Sequence, residues 1–420
     1  MILKGVTLPN GEVTDVEIES GCISSIKRTT SSGLDCDGLV LLPGFVDLHA
    51  HLRQPGFEES ETVLSASQSA AAGGYTTVFA MANTEPTQDS PATVQYVSCL
   101  GEQVGLVRVR PIGAITKGLQ GKELAPLAAM AASSAQVKVF SDDGNCLVNV
   151  DLMREALLEV KKFGGVIAQH AQDHQQTVGA QMNDGKLSIE LGLTGWPRAA
   201  EEQIIARDVE LAIETDSRLH VCHVTTAGGV EVIRWAKAKG AKVTAEVTPH
   251  HLLLNEELVR SYDPVYKVNP PLRTEEDTFA LRRGLLEGTI DVLATDHAPH
   301  SKERKECEWQ SAAFGMVGFE IAASVLFKVL ILEGEGDWND FARIMSIKPS
   351  EIGGLTKIGN PVEGSVADLV LFDPTTSRVI SKQTHSLSTN NPWAGLELPG
   401  RVVHTMFQGR LTVKDGELVG

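Results

Sequence analysis

Two histidines stand two residues apart in Asp47-Leu48-His49-Ala50-His51-Leu52-Arg53. Residues i and i+2 of an extended segment share a face, so His49 and His51 can grip one cation together. A lone His is more often packed or solvated than a ligand, but a His-x-His pair closing a strand reads as a metal site. Two more apolar runs end on His: Val166-Ile167-Ala168-Gln169-His170 and Leu219-His220-Val221-Cys222-His223. In the second run His220 and His223 fall on opposite faces; His223 is the C-terminal one and the candidate ligand, and His220 reads as structural. Asp296 closes Ala294-Thr295-Asp296-His297-Ala298-Pro299-His300, and Ser141-Asp142-Asp143-Gly144 supplies a second acidic point. Four His and two Asp exceed what one tetrahedral site needs, so a binuclear centre with a bridging carboxylate is the economical reading. Such donors suit Zn²⁺, while ligand type also admits Mn²⁺ or Co²⁺.

These residues need a scaffold that brings strand ends together. Short apolar segments recur at residues 45–49, 76–81, 107–112, 137–140, 166–170, 219–224, 243–247 and 291–295. Helical periodicity fills the intervals, for example at residues 63–72, 153–162, 201–214, 230–238 and 277–286. Eight alternating β and α units predict a (β/α)8 barrel, whose function sits at the C-terminal ends of its strands. A doubly wound open sheet is the alternative topology. The two chain ends read differently. Segments 13–19, 22–27 and 39–42, and again 367–372, 402–407 and 411–413, are short β runs separated by Gly, Asn and Asp turns, with Asp373-Pro374 among the punctuation. Neither end carries enough strands for a stable sheet alone. The expectation is one small β-sandwich domain from residues 1–43 and 355–420, with a barrel of residues 44–354 inserted between them.

Composition narrows the partners. With 37 basic and 54 acidic residues the formal charge is −17, and no Lys/Arg-rich run appears, which argues against nucleic acid and anionic membranes. At 42% hydrophobic and 22% charged the chain reads as an ordinary globular protein. Its six cysteines are scattered without a C-x-x-C pair and read as reduced thiols. The start has too short an apolar run for a signal peptide, and the most apolar stretch, residues 321–332, is interrupted by Lys328 and reads as a packed helix. A cytoplasmic location is expected.

Asp47 to Gly56, DLHAHLRQPG, together with Ala294 to Lys305, ATDHAPHSKERK, closely resembles the two signature motifs of dihydroorotases in the amidohydrolase superfamily. The likeness extends along nearly the whole chain, through MANTEP, FSDDG, HVCHVTT, VTPHHLLL, KVNPPLR and the late GSVADLVLFDP segment. It is similar to the long bacterial type, in which an aspartate replaces a modified lysine as the metal bridge. The resemblance implies that His49, His51 and Asp296 hold one metal, that His170 and His223 hold a second, and that Asp143 bridges them as the Asp before the Gly of the DDG run. Two Zn²⁺ per subunit are implied. Lys138-Val139-Phe140 also resembles the Lys-x-Phe of hydantoinases and allantoinases, where a carboxylated Lys is the bridge, but Lys138 lacks those enzymes' flanking residues. Arg53, Asn83 and His300 match the family's clamp for the substrate carboxylate, with His51 beside them. Asn269 and the backbone at Phe314-Gly315 match its contacts to the pyrimidine ring. Without that match Asn83 reads equally well as a turn residue, and Asn269 and Phe314-Gly315 as plain loop. His250, His251, His174 and His297 read as supporting or structural, and His385 and His404 lie in the β domain.

The activity implied is interconversion of N-carbamoyl-L-aspartate and dihydroorotate in pyrimidine synthesis, with a metal-bridging hydroxide attacking the ring amide and Asp296 as general base. One rival is a hydantoin- or allantoin-cleaving cyclic amidase sharing the metals without the Arg53/Asn83/His300 clamp. The other is a silent dihydroorotase-like scaffold for aspartate transcarbamoylase, which would be expected to lack metal ligands. The partners expected are a small-molecule substrate, a second copy in a homodimer, and aspartate transcarbamoylase.

Overall fold

Strands buried on both faces have no polar side, and Phe45–Ala50 and Tyr75–Ala80 are buried at every position. They begin an eight-stranded parallel barrel in a computed structural model that describes residues 1–355 and 361–419. The others are Arg108–Pro111, Val139–Phe140, Val166–Gln169, Leu219–Val221, Val243–Val247 and Val292–Leu293. Each pairs in parallel with its neighbour in chain order. Single parallel bridges, Gly113 with Phe140 and Ala50 with His297, complete the ring. The second bridge makes the first and last strands neighbours, which rules out an open doubly wound sheet.

Several of the helices between strands start on polar caps. Thr62, Ser90, Asn149, Thr226 and Thr274 each accept a hydrogen bond from an amide of the first turn. Val150–Lys161 shows why such a segment docks: Met153, Ala156, Leu157 and Val160 form one buried stripe at i, i+3, i+4 and i+7. Burying a side chain such as Leu157 stabilises the fold by about 1.5–3 kcal/mol. The apolar stretch near Lys328 is a short helix, Ala322–Leu326, continued by wider turns to Leu332. Among the described residues no helix is long and apolar enough to cross a membrane.

Among the described residues, nine strands from the two chain ends join in one hydrogen-bonded sheet. The seam is an antiparallel pairing of Val40–Pro43 with Leu369–Val379, Val40 opposite Phe372 and Pro43 opposite Leu369. Alternation then sorts the side chains. Leu41, Leu369 and Leu371 enter a small core with Leu3, Val16, Ile18 and Met406, whereas Val40, Leu42, Val370 and Phe372 join the main core under the barrel helices. One expectation fails here: Asp373-Pro374 does not end its strand. The strand continues to Val379 through a register shift between Asp373 and Ser377, and the Asp373 carboxylate accepts from the Thr375 amide and the Thr375 and Thr376 hydroxyls. The turn chemistry builds a bulge instead of a reversal. Residues 356–360 and Gly420, which belong to the expected sheet segment 355–420, lie outside the described residues. After Val379 the chain leaves the sheet, crosses the barrel mouth as residues 380–396, and returns at Glu397.

Candidate metal centre

Five of the eight strand ends deliver polar residues to one point. Asp143 stands within 3.5 Å of four imidazoles: 3.4 Å from His49 Nε2, 3.5 Å from His51 Nε2, 3.2 Å from His170 Nδ1 and 3.4 Å from His223 Nε2. Asp296 lies 3.1 Å from His51 Nε2 and 3.5 Å from His49 Nε2. All six side chains are buried. Two groups with metal-ligand geometry, His49/His51/Asp143 and Asp143/His170/His223, share Asp143. His223 and Asp296 reach this point with φ of 29° and 45°, and Arg53 beside them has φ of 62°. Backbone held there costs on the order of 1–3 kcal/mol per residue, and such strain concentrates where side chains must be aimed.

The donor set fits a cation. His49 Nε2 is buried and has no hydrogen-bond partner among the described residues. His170 Nδ1 and His223 Nε2 face each other at 2.9 Å, where two lone pairs repel unless a proton or cation lies among them. Burial disfavours the charged form of His49, but the Asp143 and Glu246 carboxylates outweigh it and hold the imidazole well above its usual range. Burial likewise opposes ionised Asp143, and His49 with the bonds from His170 and His223 holds it well below the carboxylate range. Asp296 is lowered against burial by His49 and His51. Burial and the Arg53 charge push His51 down.

The far nitrogens are fixed too. His49 Nδ1 lies 2.6 Å from Glu246 Oε1, whose other oxygen is 2.9 Å from His220 Nε2; Oε1 also accepts from the His223 amide at 3.2 Å. His51 Nδ1 donates to Asn83 Oδ1 at 3.0 Å, and His170 Nε2 to Gln172 Oε1 at 2.8 Å. Each bond sets a tautomer that leaves the other nitrogen free for a metal. Sequence reading missed Glu246 and Gln172. The signals were a lone charge in the apolar strand Val243–Val247 and an amide two residues beyond a candidate ligand.

The remaining candidates separate cleanly. Asp142 turns away and accepts from the Ile115 and Thr116 amides. Lys138 donates to Phe163 O and packs on Gly354, at the opposite end of the strands from the cluster. Asp47 does not touch the His49 ring; it accepts from the His49 and Thr295 amides and so ties the first strand to the last. His250 is buried and pushed down to about 4, and His251 bonds Thr248 and Pro270 O. His174 accepts from the Cys146 amide, His297 stacks on Phe319 beside Glu61, and His385 and His404 pair with Glu320 and Asp415.

A cavity of about 150 Å³ opens over the cluster, lined by His51, Arg53, Asn83, Asp143, Gly144, His170, Asn269, Asp296, Ala298, His300, Phe314 and Gly315. Arg53 Nε donates to Pro299 O at 3.0 Å, which turns the guanidinium along the wall. Burial first and then the Arg53 charge push His300 down to about 2, so its ring is neutral. Its Nε2 donates to Phe314 O at 2.7 Å, and the 3.4 Å approach of Arg53 to that nitrogen is a contact between donors. Asn83 faces the cavity, yet its amide also serves His51 and Asp143 O. Larger cavities lie elsewhere, one of about 480 Å³ beside Phe279 and Val329, but it gathers no such convergent donors.

A family model described as dihydro-orotase-like matches residues 38–228. A dihydroorotase of Leifsonia xyli subsp. xyli is 56% identical over 424 residues, covering 100% of this chain and 97% of the relative. Those of Streptomyces coelicolor and Mycobacterium tuberculosis are 53% and 46% identical, covering 99% and 100% of this chain and 99% of each relative. Among solved structures, an L-hydantoinase (dihydropyrimidinase) from Arthrobacter aurescens matches with a TM-score of 0.88 at 25% identity, over 100% of this chain and 97% of that one. A dihydropyrimidinase from Brevibacillus agri, at 23% identity and a TM-score of 0.85 over 100% and 96%, shares the fold.

Proposed function

This chain belongs to the dihydroorotase family, and from that premise we propose that its barrel mouth interconverts (S)-dihydroorotate and N-carbamoyl-L-aspartate, a step of de novo pyrimidine synthesis. The observation that carries the reading is one buried carboxylate, Asp143, within 3.5 Å of four imidazoles, three of which, His49, His51 and His170, have their outer nitrogens fixed elsewhere. His49, His51 and Asp296 would hold one divalent ion and His170 and His223 another, with Asp143 common to both; the donors favour two Zn²⁺. Bound there, the metals supply a water of lowered pKa and a polarised amide carbonyl.

The chain's own residues do the rest. Asp296, kept ionised, takes the proton released as water's oxygen bonds the ring amide carbon. It delivers that proton to the ring nitrogen as the C–N bond breaks, leaving a ureido group and a new carboxylate. Arg53 pairs with the substrate carboxylate through its planar fork, with the Asn83 amide as a directional donor; the neutral His300 ring, whose Nε2 proton goes to Phe314 O, lines the carboxylate's seat, with His51 alongside. Asn269 and the backbone at Phe314 and Gly315 bracket the ring.

The test is metal analysis of the purified protein with parallel assays on dihydroorotate, hydantoin and allantoin. Two metals per chain and turnover of dihydroorotate far above the others are expected; preferred turnover of hydantoin would favour the cyclic amidase that the solved structures resemble, and bound metal without turnover would favour the scaffold. A homodimer, a complex with aspartate transcarbamoylase and a cytoplasmic location complete the proposal; sedimentation with and without transcarbamoylase tests the first two.

A further inference from the structure

The cavity wall that carries His300 and Gly315 is not held by the barrel alone. Residues 297–300 and 314–317 run side by side, with a parallel bridge between His297 and Met316 and an Ala298 amide bond to Met316 O at 2.8 Å. Gly315 has φ of 148°, and a Cβ there would meet Ala298 O at 2.6 Å and the His300 ring at 2.9 Å. The two segments therefore touch with no slack. What clamps them comes from the far side of the chain: the crossing segment 380–396, which leaves the terminal sheet and returns to it.

That segment is anchored along its length. The Leu387 amide donates to Glu61, the Ser388 hydroxyl to Ser60 O, and Trp393 is fully buried. At its centre Asn390, 3% exposed, uses its whole amide on the wall. Nδ2 donates to Ala298 O at 2.9 Å and Gly315 O at 3.1 Å, and Oδ1 accepts from the His300 amide at 3.3 Å. Its own carbonyl accepts from the Val317 amide at 3.1 Å. Lys305 completes the clamp from below, donating to Gly315 O at 2.7 Å, Ala313 O at 2.9 Å and Lys267 O at 2.8 Å. A structureless connection of this length that makes specific side-chain bonds at a cavity is more than a spacer.

We propose that Asn390 is a positioning residue for substrate: carried to the mouth by the segment from the terminal sheet, it fixes the spacing between His300 and Gly315, and with it the carboxylate and ring contacts. This rests on the dihydroorotase reading. The metal ligands lie outside Asn390's reach, so its loss moves substrate affinity and not metal content.

The decisive variant is Asn390→Asp, isosteric but turning the Nδ2 donor into an acceptor that faces two carbonyls. With both metals retained, KM for dihydroorotate rises roughly tenfold or more, as expected for buried acceptors left unpaired, while kcat changes much less. Asn390→Ser, which shortens the amide without adding charge, gives the same split with a smaller rise and decides the matter if the Asp variant does not fold. Unchanged KM in a folded variant, or a KM change that appears only with metal loss, overturns the inference. Wild-type protein that does not turn over dihydroorotate instead overturns the reading on which it rests.

Discussion

The proposed metal-ligand cluster and the proposed substrate wall share one cavity but are built differently. The proposed ligands sit at or just beyond the ends of barrel strands, and the far nitrogens of His49, His51 and His170 are fixed by side chains from the same barrel, Glu246, Asn83 and Gln172 in turn. The wall is two loop segments braced by Lys305 and by Asn390, which arrives from the hairpin of another sheet. Charge that must be concentrated needs the rigid framework, where small displacements are opposed by many strand bonds. Shape recognition rides on loops that a distant element can adjust. Metal affinity and substrate affinity should then respond to different substitutions.

The largest break expected is Asp143→Ala. Removing the carboxylate common to both ligand groups loses both metals and about 10³-fold or more of activity, read by metal analysis and turnover together; retention of two metals would dissolve the idea of a shared bridge. Asp296→Asn comes next, with kcat down about 10²–10⁴-fold because the proton carrier is gone. Near wild-type turnover in that variant would reassign the base. Glu246→Gln tests the supporting layer: metal affinity, measured by chelator competition, should fall about 10–100-fold while KM in saturating metal stays close to wild type.

The smallest effect lies outside both regions. Asp15 in the terminal sheet is held well below the usual carboxylate range by Lys4 and by the Thr29 and Gly5 amides. A folded-state value below the unfolded one contributes stability that is fully present above the unfolded value and lost as pH falls through the folded one. Asp15→Asn should therefore flatten the acid limb of melting temperature below pH about 4 and leave metal content and KM alone. A shift in KM would mean that the sheet communicates with the mouth through more than residues 380–396.

Legibility divided along the same line. Strand ends were readable because short, continuous apolar runs stop at polar residues, so His49, His51, His170, His223 and Asp296 stood out by type and place. The Asp373-Pro374 step misled because the same turn chemistry serves a reversal or a bulge, and only the partner strand, Glu397–Phe407, decides which. Glu246 passed unnoticed because its value lies in reaching His49, 197 positions earlier in the chain.

The sequence by itself determined the alternation that closes into a barrel, the donor types that meet at its mouth and the motif identity of the family, since these depend on local periodicity and residue chemistry. Tertiary structure turns the Asp143 that the motif singled out, and not Asp142, toward the imidazoles, and it alone decided that Lys138 points to the other end and that Asn390 clamps a wall 90 residues away from it in sequence. The reason is physical: a side chain's type is fixed where it is written, but its hydrogen-bond partner is chosen by whichever distant segment the fold packs against it.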